Sequence, residues 1–260
     1  HTAYRRQRQM CIRDRSYSDN IYAVKTHLFL GEDMLVKTAK RMGIKKDLPT
    51  IPSLPLGTAE ISMWDFANAY TTLASNGYKK DLGVILKVTD MHGNILYEKK
   101  NNSTQVLNSN YTFILNEMLT ATYNSAFIDY NTPTIISLGS KISRKYAMKT
   151  GSSGTDCYMI GYNPDILMLV WNGYDDNRQM NPVDGNISKN IWVNTVEEYL
   201  KDKEARWYDV PENVVGVPLD AITGNQAVND KKMYVYYYVK GSEYVNSEME
   251  YEGNKENITE

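Results

Sequence analysis

Tyr146-Ala147-Met148-Lys149-Thr150-Gly151-Ser152-Ser153 sets a lysine, a hydroxyl and a glycine in succession at the end of an apolar, strand-like run. Two further strands are expected downstream, at residues 157–162 and 166–173, after a first over 145–152. Asn163-Pro164-Asp165 makes the tight turn between the last two. The nearly continuous apolar run 167–171 predicts a strand covered on both faces. Far upstream, Ser18-Asp19-Asn20 stands directly ahead of a helical pattern. Singly, neither motif is diagnostic. Lys-Thr-Gly occurs in ordinary turns, and Ser, Asp and Asn are the usual residues at a helix N-cap. Their order and surroundings carry the information.

Those surroundings are extensive. They include Ser18-Asp19-Asn20-Ile21-Tyr22-Ala23-Val24-Lys25, Leu54-Pro55-Leu56-Gly57-Thr58-Ala59-Glu60-Ile61-Ser62, and Ala67-Asn68-Ala69-Tyr70 running on to Asn76-Gly77. Further on come Met148-Lys149-Thr150-Gly151, Ile160-Gly161-Tyr162-Asn163-Pro164-Asp165 and Val170-Trp171-Asn172-Gly173-Tyr174-Asp175-Asp176. With these ordered matches, residues 16 to about 245 resemble the C-terminal part of the transpeptidase domain of class A (bifunctional) penicillin-binding proteins. The resemblance implies an α+β fold of the α/β-sandwich kind, an antiparallel sheet flanked by helices. It also implies D,D-transpeptidase activity, the cross-linking of peptidoglycan stem peptides ending in D-Ala-D-Ala through an acyl-serine intermediate, with β-lactams as inhibitors.

An acyl-serine enzyme needs a nucleophile, a base for its proton, donors aimed at the oxyanion and a cation for the substrate carboxylate. On the resemblance, Lys149 supplies the cation and Thr150 a hydrogen bond to the carboxylate. Gly151 lets the substrate backbone lie against the strand edge, and the Ser152 N–H faces the oxyanion. Ser18 relays protons beside the nucleophile, and the Asn20 amide holds the substrate's own amide. No cofactor or metal is implied.

The chain departs from the family in several places. The family's Ser-x-x-Lys nucleophile is expected well before Ser18, but no serine in the 260 residues is followed three positions later by lysine. The expectation is an inactive fragment of an active parent, with the parent's glycosyltransferase domain and membrane anchor also upstream. Met148 stands where glycine is usual, and Cys157 where Ser or Ala is commoner. Residues 1–15 carry five arginines and one aspartate without apolar periodicity. They read as a non-native joined segment, or alternatively as a basic arm, and are set outside the fold. The expected organisation is a partial transpeptidase domain over 16–206, a small β-rich extension over 207–245 and a disordered tail over 246–260. Other readings within the chemistry are a D,D-carboxypeptidase or serine β-lactamase; outside it, a non-catalytic penicillin-binding module.

Composition narrows the alternatives. The formal net charge is −2, and without residues 1–15 it falls to −6, so no basic surface points to nucleic acid. No apolar run reaches the roughly 20 residues of a membrane span, so membrane association is expected only through the parent's anchor, on the extracytoplasmic side. Cys11 and Cys157 suggest no disulfide, and Cys157 reads as core filling. His1, His27 and His92 are scattered, without metal-ligand spacing.

Periodicity and punctuation predict helices over 20–30 and 32–42, stopped by Gly31 and Gly43. Ser62 with Asp65 opens another through Phe66, Ala69, Tyr70 and Leu73. A hairpin is expected around Met91-His92-Gly93, a helix over 109–123 and a variable loop over 124–144. Ser188 is expected to cap a last helix through Ile191, Val193, Val196 and Leu200. The tyrosine-rich run 234–239 reads as an edge strand or a carbohydrate-stacking platform.

Overall fold

A computed structural model describes residues 12–225 and 232–243. The expected tail 246–260 and residues 1–11 of the arginine-rich segment lie outside them. In chain order, residues 12–17 are helical (α1), followed by α2 (Asn20–Leu30), α3 (Glu32–Met42) and α4 (Met63–Ala74). An antiparallel ribbon comes next: β1 (Tyr78–Lys80), β2 (Lys87–Thr89), β3 (Ile95–Glu98) and β4 (Ser103–Gln105). Then come α5 (Ser109–Leu119), β5 (Ala147–Ser152), β6 (Asp156–Tyr162), β7 (Leu167–Gly173), α6 (Gly185–Leu200), β8 (Val214–Asp220) and β9 (Met233–Val239). The fold is α+β, with antiparallel sheets and helices packed against them.

The caps follow from local chemistry. Gly43 sits at φ +108 at the end of α3, where a side chain is strained. The Ser62 hydroxyl accepts from the Asp65 N–H at 3.1 Å and starts α4. In the turn between β6 and β7, Asn163 Oδ1 accepts from the N–H groups of Asp165 and Ile166.

The sheet that carries Lys149 runs in the order β5-β6-β7. Strand alternation sends Tyr146 and Met148 to one face, where Met159 and Val170 join Trp192, Val193, Val196 and Leu200 of α6. Ala147 and Tyr162 point the other way, to Leu73 of α4 and Leu119 of α5. Run 167–171 is contacted from both sides, Met168 and Val170 by one cluster and Leu167 by the other. Trp171 nonetheless stays 36% exposed, because β7 is an outer strand.

Gly161 marks the closest approach in this sandwich. A Cβ there would stand 2.4 Å from Trp192 Cζ2 and 3.2 Å from Met148 Cγ. The indole ring packs against the bare backbone and donates from Nε1 to Met168 O at 3.1 Å.

Several expectations are corrected by packing. Residues 124–144 are more than a variable loop: Phe127 and Leu138 lie on short 3-10 turns, Ile135 directly precedes the second of them, and all three are buried. Ser188 lies inside α6, buried and away from its cap, while Asp184 Oδ2 accepts from the Asn181 N–H at 2.9 Å ahead of the helix. The buried face of α6 includes Trp192, whereas Ile191 is 44% exposed. Cys157 is half-buried and not core filling, its thiol pushed up by partial burial.

The strand β9 pairs with β8 and turns Tyr234 and Tyr236 inward. They join Phe127, Ala121 and Ala126 in a third cluster. The Tyr234 hydroxyl donates to Glu117 O and that of Tyr236 to Ala221 O, so these two rings are core and present no stacking face. Ile12 is buried in the same cluster. Residues 12–15, set apart by charge in the sequence, are thus helical and packed, because one apolar side chain there finds an apolar hollow.

Candidate active site

Two segments meet at the site, the link between α1 and α2 and the end of β5. The link is tightly wound. The Ser18 N–H donates to Arg15 O at 3.1 Å and the Asp19 N–H to Asp14 O at 2.9 Å. Ser18 takes φ +57, a left-handed conformation that a residue with a side chain rarely adopts. The cap of α2 falls to Asp19, whose Oδ1 accepts from the Tyr22 N–H at 2.6 Å. The Ser18 hydroxyl and the Asn20 amide, both on exposed residues, take no part in that cap.

The strand β5 is the other outer strand of its sheet. Its inner edge is paired through Lys149 with Ile160, Thr150 with Met159, Gly151 with Tyr158 and Ser152 with Cys157. The outer edge is covered at first: the Tyr146 N–H donates to the Tyr123 hydroxyl and Met148 O accepts from the Thr122 hydroxyl, both at 3.3 Å. Alternate residues present their backbone groups to the same edge of a strand. Those of Thr150 and Ser152 therefore point outward as well, past the place where side-chain cover ends. A Cβ at Gly151 would meet Tyr158 Cβ at 3.8 Å, an ordinary contact. Among the described residues no close contact demands glycine at 151.

Across this edge the Lys149 ammonium donates to the Ser18 hydroxyl and, at 2.8 Å, to Thr150 O. Burial lowers the Lys149 pKa to about 8, assisted by the positive charge of Arg15. The ammonium is therefore close to its proton-exchange range near neutral pH while still charged in most molecules. The structure thus brings Ser18 and Lys149 into contact, with Thr150, Gly151 and Ser152 continuing the same edge and Asn20 two residues beyond Ser18. Thr150 O, by accepting from Lys149, is fixed as part of the cation's cradle.

Two neighbours escaped the sequence reading. Arg15 lay in the segment set aside, yet it acts on Lys149 electrostatically and its guanidinium contacts Met118 Sδ at 3.3 Å. Asp156 staples the turn after Ser152. Its Oδ2 accepts from the hydroxyls of Ser153 (3.0 Å) and Thr155 (2.8 Å), and its Oδ1 from Trp171 Nε1 at 2.8 Å. The clue available was Ser-x-Thr-Asp after a strand, a side-chain turn pattern. These bonds, Trp171 first, hold the Asp156 carboxyl below its ordinary range. A depressed carboxyl supports the fold above the ordinary pKa and withdraws that support as pH falls through the folded one. Amide protection at Ser153 and Asp156, taken relative to the intrinsic exchange rate at each pH, is expected to fall on acidification, and Asp156→Asn to remove that fall; protection that does not change with pH would remove the staple.

The antiparallel sheet with its helices packed on both faces, and Lys149 on an open edge, is the architecture of penicillin-binding transpeptidase domains. The chain belongs to the penicillin-binding proteins and has the fold of their transpeptidase domain. It is 39% identical over 231 residues to penicillin-binding protein 2D of Bacillus subtilis (strain 168), covering 88% of this chain and 33% of that protein. Against penicillin-binding protein 1A of Neisseria meningitidis serogroup B it is 25% identical over 208 residues, 76% of this chain and 25% of that protein. The chain therefore spans a quarter to a third of the length of these curated relatives. Among solved structures, penicillin-binding protein 1A from Haemophilus influenzae matches with a TM-score of 0.77 and 20% identity, over 90% of this chain and 40% of that one. PonA1 from Mycobacterium tuberculosis, in complex with penicillin V, matches with a TM-score of 0.64 and 19% identity, over 84% of this chain and 61% of that one. No protein-family model matches the chain.

Proposed function

We propose that this chain carries two of the three active-site elements of a peptidoglycan D,D-transpeptidase, and that its parent cross-links stem peptides ending in D-Ala-D-Ala through an acyl-serine. The observation that carries the proposal is the Lys149–Ser18 hydrogen bond beside the open end of β5. In this reading the donor peptide adds to the outer edge of β5 as an extra strand. Its carboxylate meets the Lys149 ammonium and the Thr150 hydroxyl, and Gly151 allows the backbones to approach. The Ser152 N–H donates to the oxyanion and the Asn20 amide engages the peptide's amide. Ser18, already bonded to Lys149, passes a proton between the lysine and the reacting centre. The binding of penicillin V by a structural neighbour supports β-lactams as ligands of the same edge. The parent acts outside the cytoplasm, anchored by its own membrane segment; among the described residues no helix is long and apolar enough to cross a membrane.

The acylated serine and its lysine base are not within the 260 residues, since none of the serines begins Ser-x-x-Lys. Expressed alone, the chain is expected to gain no mass from a fluorescent penicillin in intact-mass measurement. A covalent adduct would mean that another residue is the nucleophile and the role assignments fail. Joined to a segment that supplies Ser-x-x-Lys, the polypeptide is expected to yield cross-linked peptide dimers. Release of D-Ala without dimers would make it a carboxypeptidase.

A further inference from the structure

Strands β2 and β3 pair only with each other. Inserted between the paired β1 and β4, they form a ribbon whose every strand residue is exposed, with two open faces and two open edges. Its side chains are not those of a solvated hairpin. Val84, Ile85, Leu86, Ile95 and Leu96 are each more than half exposed, and Val88 stands opposite Tyr97. A lone two-stranded ribbon is at best marginally stable in water, and an exposed apolar edge is a template for a further strand.

Charge selects the occupant. Residues 79–100 hold five lysines and three acids. Asp90 is engaged in the turn, where its Oδ1 accepts from the N–H groups of His92 and Asn94. None of Lys79, Lys80, Lys87, Lys99 and Lys100 is ion-paired among the described residues. The ribbon is therefore apolar and cationic in a chain whose net charge is −2. Its complement is an extended segment that alternates acid and apolar residues. Glu248-Met249-Glu250-Tyr251-Glu252 does so without a break. As a strand it would carry its carboxylates on one face and Met249 and Tyr251 on the other. Residues 86–88 have the matching alternation, Lys87 on one face, Leu86 and Val88 on the other.

The path of the chain brings the two together. The Tyr234 hydroxyl donates to Glu117 O near the end of α5, and the Tyr237 ring meets Phe113 near its start, 5.1 Å between centroids. Strand β9 thus runs back along α5 towards Ser109, just after β4 and the base of the ribbon. The 17 residues beyond Glu243 reach about 60 Å when extended. Residues 78–89 laid out as strand span roughly 40 Å.

We propose that the chain's own C-terminal segment, residues 244–260, docks on this ribbon, with 248–252 added as a third strand along the β2 edge. The glutamates then lie against Lys87, and Met249 and Tyr251 beside Leu86, Val88 and Tyr97. The β3 edge is the poorer one, because Glu98 faces like charge there. None of these residues belongs to the acyl-transfer edge, so the inference stands or falls apart from that assignment.

The test is hydrogen exchange of the ribbon amides, residues 85–98, in the whole chain and in the chain stopped after Glu243. Loss of the segment is expected to lower their protection by about tenfold or more, with the amides of α6 unchanged. A synthetic peptide of residues 244–260 is expected to restore protection to the shortened chain, less well as salt rises. In the whole chain, Lys87→Glu, at an exposed position, is expected to lower protection, and its combination with E248K/E250K/E252K to recover it. That charge exchange carries the test if the shortened chain does not fold. Equal exchange in the whole and shortened chains overturns the proposal, as does indifference to Lys87→Glu. Protection that grows with protein concentration would assign the edge to a second copy, and protection gained only with anionic phospholipid vesicles would assign it to a membrane surface. Either result overturns self-docking.

Discussion

Lys149→Ala, made in a polypeptide that joins this chain to its Ser-x-x-Lys segment, is expected to slow β-lactam acylation by about 10²–10³-fold, the scale for loss of one preorganised donor at a developing charge. Thermal stability is expected to hold or rise. The lysine is half-buried beside Arg15, and its pKa is lowered from 10.5 to about 8, so the folded state disfavours the very charge it holds. Between about pH 8 and 10.5 the unfolded chain binds more protons at this site than the folded one. Stability from Lys149 therefore increases with pH through that window, and below it the destabilisation is felt in full. Denaturant midpoints at pH 7 and pH 10 should differ in that sense in the unsubstituted chain, with this contribution gone in the variant. Acylation at the unsubstituted rate would strip Lys149 of its role. A collapse in stability would make it a structural residue instead.

Trp192→Ala should be the most damaging single truncation in the body of the protein, costing about 3–5 kcal/mol. The ring is fully buried, contacts Tyr146 edge-on at 5.1 Å between centroids and shares a cluster with Met148, immediately before Lys149. Gly161→Ala attacks the same contact from the other side. A methyl 2.4 Å from Trp192 Cζ2 cannot be accommodated without moving a ring closed in on its other faces, and overpacking of this kind costs about 1–3 kcal/mol. Because both changes act on one contact, the double variant is expected to be less destabilised than the two losses added together. Urea midpoints of the four proteins measure this. Strict additivity would show that ring and glycine do not hold each other.

The elements that the chain announces are those set by neighbouring residues. The helices at Asn20–Leu30 and Glu32–Met42 stop where Gly31 and Gly43 said they would. The strands at Ala147–Ser152, Asp156–Tyr162 and Leu167–Gly173 follow from alternation and one Asn-Pro-Asp turn. Periodicity failed where two faces of a helix carried comparable residues. Both Ile191 and Trp192 are apolar, and only the shape of the sheet beneath selects the indole. It also failed for 124–144, where polar residues spaced out the few that fill the core, and for Ile12, whose apolar side chain is surrounded by charge in the chain but not in space.

The candidate site divides along the same line. Capping tendency and turn chemistry alone do not single out Ser18, Asn20 or the Lys149–Ser152 strand end; they stand out only through their resemblance to a family pattern of contiguous, ordered motifs. Contact between Lys149 and Ser18 spans 131 positions. The lowered pKa, the duty of Asp19 as the cap and the staple at Asp156 are likewise products of burial and juxtaposition. Desolvation and Coulomb forces depend on distance through space, which no run of neighbouring residues specifies until the helices and sheet have packed.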